Sequence, residues 1–503
     1  MACGSNITCF AERLALLESR MAGNLTEELL DVAAQNHPLD TAWVLTCGAL
    51  VFLMQLGFAM LESGSVREQN VIATYMKNLL DLVLGTLAGA LFGYYIAYGV
   101  HPMLIDTDDG EFQHRSFFFY VAFQSTAATI VSGAMAERTS ITAYALLSIL
   151  MSGVVYGLAV RFTWAGGWLL QNGYHDFAGS GVVHTLGGAA ALVGSYLVGP
   201  RRDRWDPASF HLFAPSSVPS VLSGTLILWV GWYGFNSGST NAMSTSADAQ
   251  LASNAALTTT LAACTGGFTC AIISVTKSLR GSGITHDILA LSNGILAGLV
   301  SITAGCDAIE AKWAMLIGAI GAVFYELGVR LRTWCEIDDI VEAFPVHCCC
   351  GVWGLAAVGL FHHEKGLFIS GDAELLGWQI VGAAVMFVLG SVPVGLFSLL
   401  LKHVGYLRVS EEEEKQGIDH LFGMKAHAQT DMVLEHLTAI DGILKRYGYK
   451  GTLIEALEGV ESHVNMMQER NKRGPSGATS LRPTRFRTSS VASNRGNSNT
   501  NLA

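Results

Sequence analysis

The chain has 503 residues, 51% of them hydrophobic and only 14% charged, with a formal net charge of −11 and a mean hydropathy of +0.39. A soluble domain is nearer a quarter charged, so the composition excludes an ordinary water-soluble protein and makes a lipid bilayer the main solvent. The acidic balance offers no basic face, and no nucleic-acid partner is expected.

The first 38 residues are polar and amphipathic, without a basic stretch followed by an apolar core, so no cleavable signal peptide is read there. Residues 1–40 are expected to form an extracellular tail. It carries two sequons, Asn6-Ile7-Thr8 and Asn24-Leu25-Thr26, which make Asn6 and Asn24 candidate glycosylation sites. Eleven apolar runs follow, at about 41–62, 78–100, 116–136, 141–163, 178–199, 217–237, 254–277, 286–305, 312–331, 345–362 and 378–401, each near the length an α-helix needs to cross the hydrocarbon core. The 55 glycines fall among Ala and Ser inside these runs, as closely packed membrane helices require. A β-barrel would show alternating segments of about ten residues, and there are none. The expected fold is an all-α integral membrane protein with its transmembrane domain at 41–402.

One set of loops holds Arg67, Lys77, Arg138, Arg201, Arg202, Arg204, Lys277, Arg280, Arg330 and Arg332. The other holds Asp106, Asp108, Asp109 and Glu111 with scattered Arg115, Lys312 and Lys365. The positive-inside rule then places the N-terminus outside and the C-terminus in the cytoplasm. After the last run, residues 403–470 are charged, with helical periodicity through Val433, Leu434, Leu437, Ile440 and Leu444. Residues 471–503 are basic, rich in Ser, Thr, Asn and Gly, and read as disordered. Hydroxyls three residues after arginines make Thr488 and Ser490 candidate kinase targets, or part of an unmodified solvated tail.

Ionisable residues inside spans are costly and form the first list of functional candidates. They are His184 in the fifth run and His347 in the tenth, with Asp176 and Arg161 near the outer surface. The two histidines hold corresponding places if the first ten runs are two five-helix halves. Five is odd, so the halves must be inverted, and inverted repeats set a substrate site at their shared midplane. A single membrane histidine is as readily a helix-to-helix hydrogen bond, but the pairing favours a pore. Two neutral imidazoles can hydrogen-bond each other and a small polar solute, and imidazole titrates near neutral pH. Toward the outside, Trp164 and the stretch Trp232 to Ser239 combine aromatic faces with a hydroxyl, a setting that attracts a desolvated cation. Each aromatic alone could equally belong to an interfacial belt. The cysteines show no CxxC spacing, and there is no nucleophile–base–acid set or nucleotide loop. Neither a cofactor nor an enzymatic activity is expected.

Specific motifs then carry a resemblance. Asp176-Phe177-Ala178-Gly179-Ser180, Val183-His184, Gly187-Gly188-Ala189 and Gly199-Pro200-Arg201 are similar to the fifth-helix signature of the ammonium transporter family. Phe123-Gln124, Ala136-Glu137-Arg138, Gly231 to Asn236 with Gly238-Ser239, and Asp338-Asp339 before Val346-His347 support it. The resemblance covers about 40–415 and looks closest to the plant-like eukaryotic branch. It implies eleven transmembrane helices, an inverted five-helix repeat plus one helix, a homotrimer, and one pore per subunit in the plasma membrane. By position it assigns Trp164 and Ser239 to an outer ammonium site, Asp176 to the support of that site, and Phe235 to a gate. It assigns Phe123, Gln124, His184 and His347 to the pore, and Gly417 and Asp419 to a regulatory tail that in relatives packs on the neighbouring subunit. For Asp176 a helix N-cap is the structural alternative. Two departures stand out. Ala127 replaces a second gate phenylalanine, leaving the gate either wider or filled by another ring. Arg161, about one turn before Trp164, faces either the vestibule or the headgroups.

The implied function is ammonium transport: recruitment of the cation, deprotonation, passage of ammonia past the histidines, and a proton that follows. A passive ammonia channel and an ammonium sensor signalling through the tail are the alternatives.

Overall fold

The computed structural model describes residues 38–104, 110–280, 288–422 and 445–446. Asn6, Asn24, Thr488, Ser490 and the periodic stretch 433–444 lie outside the described residues. So does the acidic loop at 105–109.

Among the described residues the regular structure is helical. Ten helices are long and apolar enough to cross a membrane: α1 (Pro38–Ser65), α2 (Glu68–Tyr98), α3 (His114–Ala134), α4 (Ile141–Phe162), α5 (Ser180–Val198), α6 (Val218–Gly238), α7 (Ser246–Arg280), α9 (Ala311–Trp334), α10 (Phe344–Phe361) and α11 (Glu374–His403). Between α7 and α9 lies α8 (Ile288–Thr303), apolar but shorter at 16 residues. The outward faces carry large apolar side chains in the open: Phe268, Leu226, Leu396 and Ile380 are all more than half exposed. Such faces are stable only against hydrocarbon.

α1 and α6 are the most extensively packed pair of helices. Small residues set how close they come. A methyl group on Gly224 would stand 2.6 Å from the Gly57 carbonyl, and one on Gly234 2.6 Å from the Cys47 carbonyl. With hydrocarbon outside, this close backbone packing, not water exclusion, holds the helices together. The packing also has the symmetry expected of a repeat: the start of α5 packs on α10, and the start of α10 packs on α5.

Two expectations are corrected. The second helix begins about ten residues earlier than hydropathy placed it, because Glu68, Gln69, Asn70 and Lys77 depress the apolar score at its start. Lys77 is therefore not a loop cation: it is 1% exposed inside α2. The list of ionisable residues within spans was also too short, since Glu62, Lys77 and Asp81 are buried together between α1 and α2.

Candidate functional site

The fifth and tenth helices begin in the same way. In each, a π-helical turn opens the helix and carries the histidine: Ser180–Thr185 holds His184, and Phe344–Cys349 holds His347. Wider turns of this kind redirect side chains and concentrate at functional sites. An aspartate eight residues before each histidine caps its turn. Asp176 accepts from the Gly179, Gly181 and Val182 N–H groups at 3.0, 2.9 and 3.0 Å, and from the Tyr174 hydroxyl at 3.1 Å. Asp339 accepts from Ala343 and Phe344 at 3.0 and 2.8 Å. A carboxylate at a helix N-terminus satisfies donors that would otherwise be orphaned in the bilayer. Burial pushes the Asp176 carboxyl upward, and the N–H groups of Val182 and Gly181 pull against it.

A glycine four residues after each histidine lets the two helices cross. A methyl group at Gly188 would lie 2.4 Å from the Cys348 nitrogen, and one at Gly351 2.5 Å from the Ser180 carbonyl. The crossing brings the histidines together with an Nδ1–Nδ1 distance of 3.1 Å, ring centroids 5.2 Å apart and planes 14° from parallel. Only one proton fits between two Nδ1 atoms, so one ring donates and the other accepts. In the neutral pair the outer nitrogens then differ, one an acceptor and one a donor. His184 is fully buried and its Nε2 has no protein partner. A solute with both a lone pair and N–H groups matches that pair.

Aromatic rings continue from the histidines to one face of the protein. Trp232 stacks on His184 at 5.1 Å and donates its indole N–H to Thr303 Oγ1 at 2.9 Å. Phe235 lies 5.5 Å from His184 and stacks on Phe123 at 4.0 Å and 18°. Trp164 meets Phe123 edge-on at 6.0 Å. Beyond the phenylalanine pair opens a vestibule of about 520 Å³, lined among others by Trp164, Phe123, Ser239, Tyr120 and Arg115. The Trp164 indole donates to the Asp176 carbonyl at 2.7 Å, and the Ser239 hydroxyl donates to the Phe235 carbonyl at 2.8 Å. Ser239 has thus used its only hydrogen, and its oxygen can still accept from a cation.

Trp164, Ser239, Phe123, Phe235, His184 and His347 therefore form one column, with Asp176 behind it. Gln124, placed in the pore as Phe123's neighbour, turns the other way: its amide donates to the Gly85 carbonyl at 2.6 Å. Successive residues on a helix face different directions, so both could not line the column. Ala127 is buried, and Phe123 and Phe235 stack directly on each other. Arg161 is exposed, within 3.5 Å of the Ala97 carbonyl. The guanidinium at the vestibule belongs instead to Arg115, which donates to Thr41 at 2.6 Å. Sequence reading left Arg115 among loop residues because α3 begins in a polar stretch.

At the other end the remaining motifs converge. Arg201 pairs with Asp338 at 2.8 Å and with Glu137 at 2.7 Å, and Glu137 also holds Arg67. Arg138 binds the Gly199 and Asp338 carbonyls. Burial opposes charge on Asp338, but the guanidiniums of Arg201 and Arg138 outweigh it and hold the carboxyl well below the usual carboxylate range. The tail segment packs on this chain's own α2. The Asp419 carboxylate accepts from the Ile72 and Ala73 N–H groups at 3.1 and 2.7 Å, and Gly417, at φ +88°, lies against Gln69.

The family model of the Ammonium Transporter Family matches residues 42–427. An ammonium transporter of Archaeoglobus fulgidus (Amt2) is 37% identical over 76% of this chain and 86% of its own length. Another from Solanum lycopersicum (ammonium transporter 1 member 3) is 35% identical over 77% and 92%. Archaeal and plant relatives are equally near, so the similarity does not single out a plant-like branch. Among solved structures, one described as a sensor Amt protein superposes with a TM-score of 0.69 at 32% identity, covering 76% of this chain and 97% of that one.

Proposed function

The chain belongs to the ammonium transporter family, and from that premise we propose that it carries ammonium across the membrane as ammonia plus a proton. The carrying observation is the buried histidine pair beneath an aromatic vestibule. Ammonium is recruited where the Trp164 ring and the Ser239 oxygen offer a cation–π face and an acceptor. An unpaired charge in a dry passage costs many kcal/mol, so the cation gives up a proton at the Phe123–Phe235 constriction. Ammonia passes between the rings once they part and exchanges hydrogen bonds with the two imidazole edges. The proton follows along the imidazoles, whose shared Nδ1 contact allows one ring to receive a proton as the other releases one.

The same reading takes α8 as an eleventh span, with the N-terminus outside, the tail in the cytoplasm, and three subunits in a plasma-membrane homotrimer. Residues 1–40, 41–402, 403–470 and 471–503 are then the outer tail, transport domain, regulatory region and basic extension. In this reading Gly417 and Asp419, packed on the start of α2, pass a tail movement to the transport domain. A second reading is favoured by the likeness to a structure described as a sensor: the site binds ammonium and the tail reports it.

Ammonium-evoked current, recorded against external ammonium concentration and pH, tests the proposal. A saturating inward current is expected. Ammonia flux without current identifies a passive channel, and binding without uptake identifies a sensor.

A further inference from the structure

Beyond His347 the column of rings ends in a small cavity of about 20 Å³, lined by Phe58, Glu62, Ile130, Val341, Val346 and His347. A space above about 10–15 Å³ accepts one water-sized molecule, and ammonia is of that size. Its one ionisable wall besides the histidine is Glu62, which is 1% exposed in the last turn of α1. Both hydrogen bonds recorded for this carboxyl fall on Oε2, from Asn78 at 3.0 Å and Ser132 at 3.1 Å. Gly133 makes the position possible: a methyl group there would lie 3.1 Å from the Glu62 carboxyl carbon and 2.5 Å from Val341.

Glu62 is backed by a buried charged cluster. Lys77 interacts electrostatically with both Glu62 and Asp81 and sits over the Tyr144 ring at 5.5 Å. The Tyr144 hydroxyl donates to Asp81. Two buried polar atoms, Asn78 Oδ1 and Asp81 Oδ1, have no protein partner, and buried polar groups left open in this way hold water. The other titratable groups facing the cluster are His347 across the cavity, Arg138, which acts on Lys77 at least as strongly as the two carboxyls do, and Glu137. Two carboxyls stand against one ammonium group here. Counting these three groups, neutrality puts one proton on the carboxyl pair.

We propose that Glu62 is an inner ammonium site: its carboxyl hands a proton to ammonia arriving past His347, and its carboxylate then holds the ammonium formed. The Glu62 O–H bond breaks as an N–H bond forms on the ammonia lone pair, giving ammonium and carboxylate. The carboxylate regains its proton from the one released at the Phe123–Phe235 constriction and carried along His184 and His347. This role rests on the electrogenic reading above. Lys77 and Asp81 act as positioning and charge-balancing groups, since neither lines the cavity.

Glu62→Gln keeps the shape of the side chain and removes the proton. In cells expressing the protein at matched surface levels, ammonium-evoked current falls about tenfold or more. Glu62→Asp, which keeps a titratable group, retains current. Infrared difference spectra of the wild type on adding ammonium read the same step without a variant, as loss of a protonated-carboxyl band. Glu62→Gln with full current, or spectra without that band, overturns the proposal while leaving the electrogenic reading standing. A wild type that conducts ammonia without current overturns both.

Discussion

Between vestibule and histidines, Phe123 and Phe235 stack with ring centroids 4.0 Å apart and planes 18° from parallel. Parting them requires one ring to rotate away from a stacking partner, a cost of about 0.5–1.5 kcal/mol beyond ordinary packing. Phe123→Ala removes that closure. Methylammonium uptake is expected to rise relative to ammonium, because the constriction no longer discriminates by size. Competition of ammonium against labelled methylammonium measures this, and an unchanged ratio would mean the stack is not the selective step. Sequence alone could see that Ala127 had vacated a gate position, but not that its neighbours' rings already met. The orientation of Gln124 was equally hidden. A residue's face depends on the helix phase, which hydropathy leaves open when both sides of a span are apolar.

At the scale of elements, α5 and α10 are the working parts. Each combines an aspartate cap, a π-helical turn with a histidine, and a glycine one turn later. The histidine pairing was legible as spacing; the matching cap by Asp339 was not, because beside Asp338 it reads as a loop charge. The crossing is steric and can be broken at one atom. Gly188→Val forces a side chain into the Cys348 backbone, where the added methyl has only 2.4 Å. Overpacking of this kind costs about 1–3 kcal/mol, and it also separates the imidazoles. Thermal unfolding in detergent should drop by several degrees and transport should be lost. A variant of unchanged stability and full transport would show that the helices do not meet this closely.

On the scale of the whole molecule, the face opposite the vestibule is held by Arg201, Asp338, Glu137, Arg67 and Arg138, drawn from four separate loops. These motifs were visible in the sequence; their convergence was not, because residues some 200 positions apart share no local pattern. Asp338 makes the network acid-sensitive. Its carboxyl is depressed in the folded state, so its stabilisation is fully present above the unfolded carboxylate value of about 3.9 and is lost as pH falls toward the folded value. Melting temperature should therefore decline steeply below about pH 4. Asp338→Asn should lower stability at neutral pH by about 3–5 kcal/mol, the cost of leaving Arg201 buried and half-paired, and should flatten the acid decline. An identical pH profile in the variant would assign the acid sensitivity elsewhere.

The central claim is that solute and proton both pass the histidine pair. The direct measurement is ammonium-evoked current together with labelled methylammonium uptake in His184→Ala and His347→Ala, at matched surface expression. Each substitution breaks the 3.1 Å Nδ1 contact, so current should fall about tenfold or more in both. Unchanged current and uptake in both variants would contradict it.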